Sequence, residues 1–144
     1  MAQLYWEDVQ EGQEIPPYSQ KVGYMELNRF AGANNEIVPI HMDADYAKNV
    51  AKLPDVIVMG NLKLAYIANA LTDWAGDDGW IRKLYVEYRK MDLVNMTISA
   101  KGKVTKKYQQ DGKHLVELEV WVENQQGDVT TPGNAVVALP SRGG

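Results

Sequence analysis

The sequence contains no cysteine and only two histidines, His41 and His114. The lack of cysteine excludes disulfides, thiolate nucleophiles and cysteine-based zinc sites. Two histidines so far apart in sequence do not predict a histidine-rich metal site, so we expect neither a metal nor a metal cofactor. A chain without cysteine suits a reducing compartment, and we expect a cytoplasmic protein.

Positive charge is also scarce, since 15 Lys and Arg against 19 Asp and Glu give a net charge of −4. Nucleic-acid binders are usually basic, so we expect no nucleic-acid partner. The N-terminal residues lack the basic and apolar stretches of a signal peptide. Four lysines cluster, and they are interpreted as the solvated end of a strand, or alternatively as a site for the phosphates of a CoA-like ligand. They are Lys101, Lys103, Lys106 and Lys107.

At 144 residues, with 45% hydrophobic side chains, residues 1–144 predict one domain with a buried core. The longest apolar run, residues 57–74, predicts a long buried helix because it is apolar nearly all round. Asn61, Lys63 and Asn69 interrupt the run and argue against a membrane span. The spacing of apolar residues also predicts a helix over residues 24–31, ended by Gly32.

From Trp80 onward, apolar and polar residues alternate with a period of two, which predicts a meander of four half-buried antiparallel strands. Asp111-Gly112 predicts a hairpin turn, and residues 125–128 predict another. The last strand, Val129 to Leu139, contains Pro132-Gly133, which predicts a bulge or a sheet edge. A sheet with one wet face can bury the long helix only by wrapping around it, so we expect an α+β fold.

The chemically most informative stretch is residues 30–47, which place Glu36 five residues before His41 with Pro39 between them. Pro39 fixes its own φ and favours an extended Val38, so this segment is not a continuous helix. A bent loop can aim the carboxylate and the imidazole into one cavity, where they would form a general acid/base pair. Alternatively, both are surface polar groups with local hydrogen bonds. Asp43 is interpreted as the N-cap of a short helix.

The same stretch resembles the hydratase motif of the MaoC-like family, the (R)-specific enoyl-CoA hydratases and acyl dehydratases. Three segments match the start, the centre and the end of that motif: Phe30-Ala31, Pro39-Ile40-His41 and Asp43 with Tyr46-Ala47. Two positions depart from it. The family's catalytic Asp falls on Glu36, whose arm is one methylene longer, and its Asn falls on Val38, which removes a polar group that helps to orient the site.

The resemblance covers most of the chain and implies a hotdog fold, an antiparallel β-sheet wrapped around a long central α-helix. It also implies a homodimer, or a heterodimer with another hotdog subunit. The implied reaction is hydration of a trans-2-enoyl-CoA to a 3-hydroxyacyl-CoA, or the reverse dehydration, with the CoA thioester as substrate and no cofactor. Glu36 and His41 would be catalytic, and the Gly60 amide would bind the thioester carbonyl oxygen.

Two alternatives remain open. The chain could be a non-catalytic or half-catalytic hotdog subunit that pairs with a paralogous hydratase subunit. It could also be an acyl-CoA thioesterase, in which Glu36 activates water against the thioester carbonyl. His114 is interpreted as a surface residue. Four aromatic residues are interpreted as sheet packing: Trp80, Tyr85, Tyr88 and Trp121.

Overall fold

The computed structural model describes residues 2–143, which form two helices and five strands. The helices are α1 (Tyr24–Asn34) and α2 (Gly60–Ala75). The strands are β1 (Tyr18–Lys21), β2 (Trp80–Val86), β3 (Thr97–Gln110), β4 (Lys113–Asn124) and β5 (Val129–Leu139). The α+β class is as predicted, and α2 contacts all five strands of one sheet.

The sheet is antiparallel throughout, and its strand order is β1-β3-β4-β5-β2. The strands after α2 therefore do not form the simple four-strand meander that their sequence order predicts, because β2 pairs with β5 and not with β3. Both sides of β3 are already occupied, by β1 and by its hairpin partner β4. The alternating pattern of β2 specifies a strand, but it contains nothing that selects a neighbour.

The core lies between α2 and the concave face of the sheet. Inward residues of β4 alternate as predicted, and Val116, Val120 and Val122 are completely buried. From α2, Ile67 and Leu71 pack into the same cluster. Burial of an aliphatic side chain of this size stabilises the fold by about 1.5–3 kcal/mol, so this contact holds α2 firmly in the sheet.

The prediction that Gly32 ends the first helix is wrong. α1 continues through Gly32 to Asn34, and Asn35 ends it with a left-handed backbone (φ +52°). A glycine inside a helix costs only about 1 kcal/mol relative to alanine, which does not stop it. The stop is supplied by a residue that tolerates positive φ, and the Glu36 amide then donates to the Ala31 carbonyl at 3.0 Å.

The long helix begins at Gly60, three residues later than the apolar run. Residues 57 and 58 are extended instead, because Ile57 forms a bridge with Leu93 and the Val58 amide donates to the Asp92 carbonyl. Within residues 2–143, no helix is both long enough and apolar enough to cross a membrane.

The predicted cap at Asp43 is confirmed, since its Oδ1 accepts a hydrogen bond from the Tyr46 amide at 3.1 Å. The helix that follows is a single wide turn, Tyr46–Val50. The hairpin turn at Asp111-Gly112 is also confirmed, with positive φ at both residues (+51° and +73°).

Pro132 lies in an interior strand, so the prediction of a sheet edge at this point is wrong. The alternative, a bulge, is found one residue pair away, where the register between β4 and β5 shifts at Val122 and Glu123. The two edges of the sheet are β1 and β2 instead. Trp80 and Tyr85 of β2 are 66% and 50% exposed, so their assignment to sheet packing was wrong.

Candidate active site

His41 is held at the end of a single 3-10 turn, Pro39–His41, which begins with the proline that the sequence placed there. The turn buries the imidazole, and its Nδ1 lies 2.8 Å from the carbonyl oxygen of Ile57. A carbonyl can only accept, so Nδ1 donates. In the neutral ring this leaves Nε2 as a hydrogen-bond acceptor, which is the state needed to orient a water or receive a proton.

The first turn of α2 lies beside this imidazole. No side chain caps the helix, and its first intrahelical bonds run from the Leu62 and Lys63 amides to the Met59 carbonyl. The Gly60 and Asn61 amides precede these bonds, and such amides favour negative charge in front of them. A cavity of about 190 Å³ is lined by His41, Ile57, Gly60, Lys63 and Tyr88 among others. The structure therefore brings His41 and Gly60 together.

Glu36 lies at the margin of this arrangement and does not line the cavity itself. Its Oε2 accepts hydrogen bonds from Asn34 Nδ2 at 3.1 Å and from Asn61 Nδ2 at 3.2 Å. Asn61 directly follows Gly60, so the carboxylate is tied to the turn that presents the Gly60 amide. Val38, which stands at the position of the family's Asn, is 40% exposed and brings no polar group to the site.

Tyr88 joins the two parts of the site. Its hydroxyl donates to Asn61 Oδ1 at 2.8 Å, and its ring lies so close to Gly60 that an added Cβ would be only 2.5 Å away. Partial burial and the negative charge of Glu36 raise the pKa of Tyr88, so its hydroxyl stays protonated and able to donate. Gly60 therefore has a steric role that the sequence did not predict, because only glycine leaves room for this ring.

A buried ion pair lies beneath the cavity. Lys63 is 2% exposed, and its ammonium donates to Asp92 at 3.1 Å and to the Lys90 carbonyl at 3.0 Å. Asp92 is fully buried and also accepts from Thr130 at 2.6 Å and from Asn124 at 3.2 Å. These bonds attach the segment that contains Tyr88 to the first turns of α2.

Sequence reasoning missed the parts of the site that come from distant elements. It predicted Tyr88 as sheet packing, and it took Lys63 and Asn61 only as arguments against a membrane helix. The available signal was a single lysine within an otherwise apolar buried helix, because a buried charge requires a partner. Within residues 2–143, no group of three or more His, Asp or Glu side chains is arranged to bind a metal ion.

The sequence of residues 9–126 matches the profile of the MaoC like domain family. The chain belongs to this family. The match includes the whole segment from β1 through β4 and therefore all three predicted site residues of this MaoC-like chain. Among curated proteins, none has a sequence that matches it.

Solved structures of MaoC-like proteins and hydratases superpose on the chain. An (R)-hydratase from A. caviae involved in PHA biosynthesis has a TM-score of 0.83 at 24% identity, covering 93% of this chain and 99% of its own. The R-hydratase PhaJ1 from Pseudomonas aeruginosa has a TM-score of 0.87 at 21% identity, covering 97% and 88%. The ChsH1-ChsH2 complex from Mycobacterium tuberculosis has a TM-score of 0.78 at 19% identity, covering 91% and 98%.

At these identities the likeness establishes the fold, and the predicted hotdog fold of the MaoC-like chain is confirmed. The catalytic and binding roles assigned to Glu36, His41 and Gly60 stay predictions. His41 and Gly60 share a cavity, whereas Glu36 lies outside its lining and is hydrogen-bonded to Asn61, the residue after Gly60.

Proposed function

We propose that the chain is a lyase that hydrates a trans-2-enoyl-CoA to a 3-hydroxyacyl-CoA, or catalyses the reverse dehydration. The observation that carries this proposal is the shared cavity of His41 and Gly60, which pairs an acceptor imidazole nitrogen with a helix N-terminus. Membership of the MaoC like domain family supports the same reaction class.

In the proposed reaction, the thioester carbonyl binds at the Gly60 amide. Negative charge develops on that oxygen as water adds to C3, and a preorganised donor for such charge supplies about 3–4 kcal/mol. Glu36 takes one proton from the water, and Nε2 of His41 accepts a hydrogen bond from its other hydrogen. The hydroxyl adds to C3, and the proton held by Glu36 is delivered to C2. All three atoms of the water are therefore in the product.

Positive charge near the cavity supports a CoA thioester over an uncharged acyl substrate. Arg89 and Lys90 line the cavity beside Tyr88, where they could exchange their exposed carboxylate partners, Glu87 and Asp128, for phosphates. Two lysines of the cluster on β3, considered from sequence as a phosphate site, are engaged elsewhere. Lys101 pairs with Glu123, and Lys107 donates to the Val9 carbonyl.

The test is loss of the enoyl-thioester absorbance with crotonyl-CoA and with a longer enoyl-CoA, measured alongside release of free thiol. We expect loss of absorbance without thiol release in the wild-type protein. Glu36→Gln, which keeps the shape and removes the charge, should reduce kcat by about 100-fold or more, in line with general-base catalysis. Glu119→Gln changes an exposed carboxylate on β4 and should leave the rate unchanged.

Release of free thiol would instead assign the chain as a thioesterase. If the folded protein consumed no enoyl-CoA of any chain length, the hydratase proposal for this chain alone would be wrong.

A second candidate, a half-catalytic subunit with a paralogous partner, is favoured by the exposed apolar loop beside Glu36. Ile37 is 67% exposed and Val38 is 40% exposed, although both lie in the motif segment. Such adjoining apolar side chains suit a protein interface. If this candidate is correct, gel filtration should show a heterodimer with the paralogue, and hydration should appear only in the mixture. Activity of the purified chain without any paralogue would exclude it.

A further inference from the structure

The orientation of Glu36 requires an explanation, since the motif position that would supply a polar neighbour is Val38. Its Oε2 has two donors, Asn34 and Asn61. Asn34 is the last residue of α1, two residues before Glu36, so its hydrogen bond is local in sequence. Asn61 lies 25 residues later on α2 and is the donor that ties the loop to the helix.

The amide of Asn61 is held from both sides. Tyr88 donates to its Oδ1, and its Nδ2 donates to Glu36. With the amide reversed, Oδ1 would face the carboxylate, and two acceptors would oppose each other. The carboxylate of Glu36, which can only accept, therefore selects this orientation of the amide, and the hydroxyl of Tyr88 meets it by donating. Asn61 and Glu36 are accessible to water, so these two hydrogen bonds, and not burial, hold the amide.

Tyr88 is itself fixed by contacts independent of Glu36. Its ring packs against Gly60, and Lys63 donates to the carbonyl of Lys90, two residues after Tyr88. The series Tyr88–Asn61–Glu36 thus begins beside the first turn of α2 and ends at the carboxylate.

We propose that Asn61 is a positioning residue, held by Tyr88, that aims the Glu36 carboxylate at the water beside His41. It takes over at α2 the orienting function that Val38 cannot perform in the motif loop. This inference rests on the proposed function, because it assigns Glu36 the role of base.

The kinetic test compares Asn61→Leu and Tyr88→Phe with matched variants. Asn69→Leu makes the same change at an exposed position of the same helix, and Tyr85→Phe removes a hydroxyl bound to a carboxylate outside the site, Glu87. Displacement of a catalytic group by about 1 Å costs on the order of 100-fold. We expect Asn61→Leu to reduce kcat by about 10- to 100-fold with KM nearly unchanged, and Tyr88→Phe to reduce it less.

A second readout does not depend on turnover. In the 15N-labelled protein, the side-chain amide resonance of Asn61 is assigned by its absence in Asn61→Leu. Glu36→Gln and Tyr88→Phe should each shift it, whereas Glu119→Gln and Tyr85→Phe should not.

The outcomes separate the two proposals. The positioning role would be wrong if Asn61→Leu left kcat of the active enzyme unchanged. It would also be wrong if Glu36→Gln did not shift the amide resonance of Asn61. Either result would leave the hydratase proposal unaffected. A folded protein without hydratase activity would overturn both, even if the amide resonance responded. A loss of kcat in Asn69→Leu equal to that in Asn61→Leu would show a general effect on α2 and also overturn the positioning role.

Discussion

The individual residue with the largest expected influence on stability is Lys63, because its ammonium is buried with the Asp92 carboxylate as counter-ion. Taking two charges out of water is costly, and their attraction offsets this only while both are present. The intact pair therefore adds little net stability, but the loss of either partner destabilises the fold.

We expect Lys63→Met to lower the free energy of unfolding by about 3–5 kcal/mol, because Asp92 is left as an uncompensated buried charge. Urea denaturation measures this. The double variant Lys63→Met/Asp92→Leu should recover most of the loss, but not all, since Thr130 and Asn124 lose their acceptor.

Lys90→Met is the matched control, since the Lys90–Asp128 pair is exposed and 3.8 Å long. Such a pair contributes about 0–1 kcal/mol. If Lys63→Met cost no more than Lys90→Met, the buried pair would not have the energetic role described here.

At the scale of an element, α1 shows how backbone conformation decides where a helix ends. Gly32 lies inside the helix, and a Cβ added there would meet no atom within 4 Å. Gly112 lies in the β3–β4 turn, and a Cβ there would also meet nothing, but its φ is +73°. The two sites differ in backbone conformation and not in available space.

We therefore expect opposite effects from the same substitution. Gly32→Ala should stabilise the protein by about 0.4–1 kcal/mol, because alanine reduces the entropy of the unfolded chain and fits the helix. Gly112→Ala should destabilise it by more than that, because alanine does not favour positive φ. Urea denaturation midpoints measure both, and equal effects of the two variants would contradict this explanation.

At the scale of the whole molecule, the packing of α2 into the sheet predicts how stability depends on pH. Burial, chiefly, together with Tyr18 and Glu26, raises the pKa of Tyr66 to about 12 from 10.0. Below pH 10 the residue is neutral in the folded and the unfolded chain, so its contribution does not change with pH. Above pH 10 the unfolded chain loses this proton first, and the unfolded state is favoured.

We expect the free energy of unfolding to fall between pH 10 and pH 12, as the unfolded and then the folded protein release the proton. Tyr66→Phe should make this fall shallower, which urea denaturation at pH 9 and pH 11.5 would detect. The same slope in wild type and Tyr66→Phe would show that other groups account for it, such as Tyr85 and Tyr108, whose pKa values are also raised.

The sequence by itself determined most of the local structure and the family. Alternation from Trp80 onward predicted strands that include β4 and β5, and Asp111-Gly112 predicted the turn before them, because side-chain periodicity and positive φ are local properties. Pro39 predicted the break before His41 for the same reason. The end of α1 was predicted wrongly, because the sequence alone does not distinguish a glycine inside a helix from a glycine that follows one.

Only the tertiary structure decided which distant groups meet. Strand order placed β2 beside β5, and the segment after β2 then carries Tyr88 across the first turn of α2. No periodicity encodes that Asn61, Tyr88 and Glu36 form one hydrogen-bonded series, since they come from three segments separated by 25 or more residues. Hydrogen bonds and ion pairs depend on distances of about 3 Å, and the folded backbone alone sets such distances between remote residues.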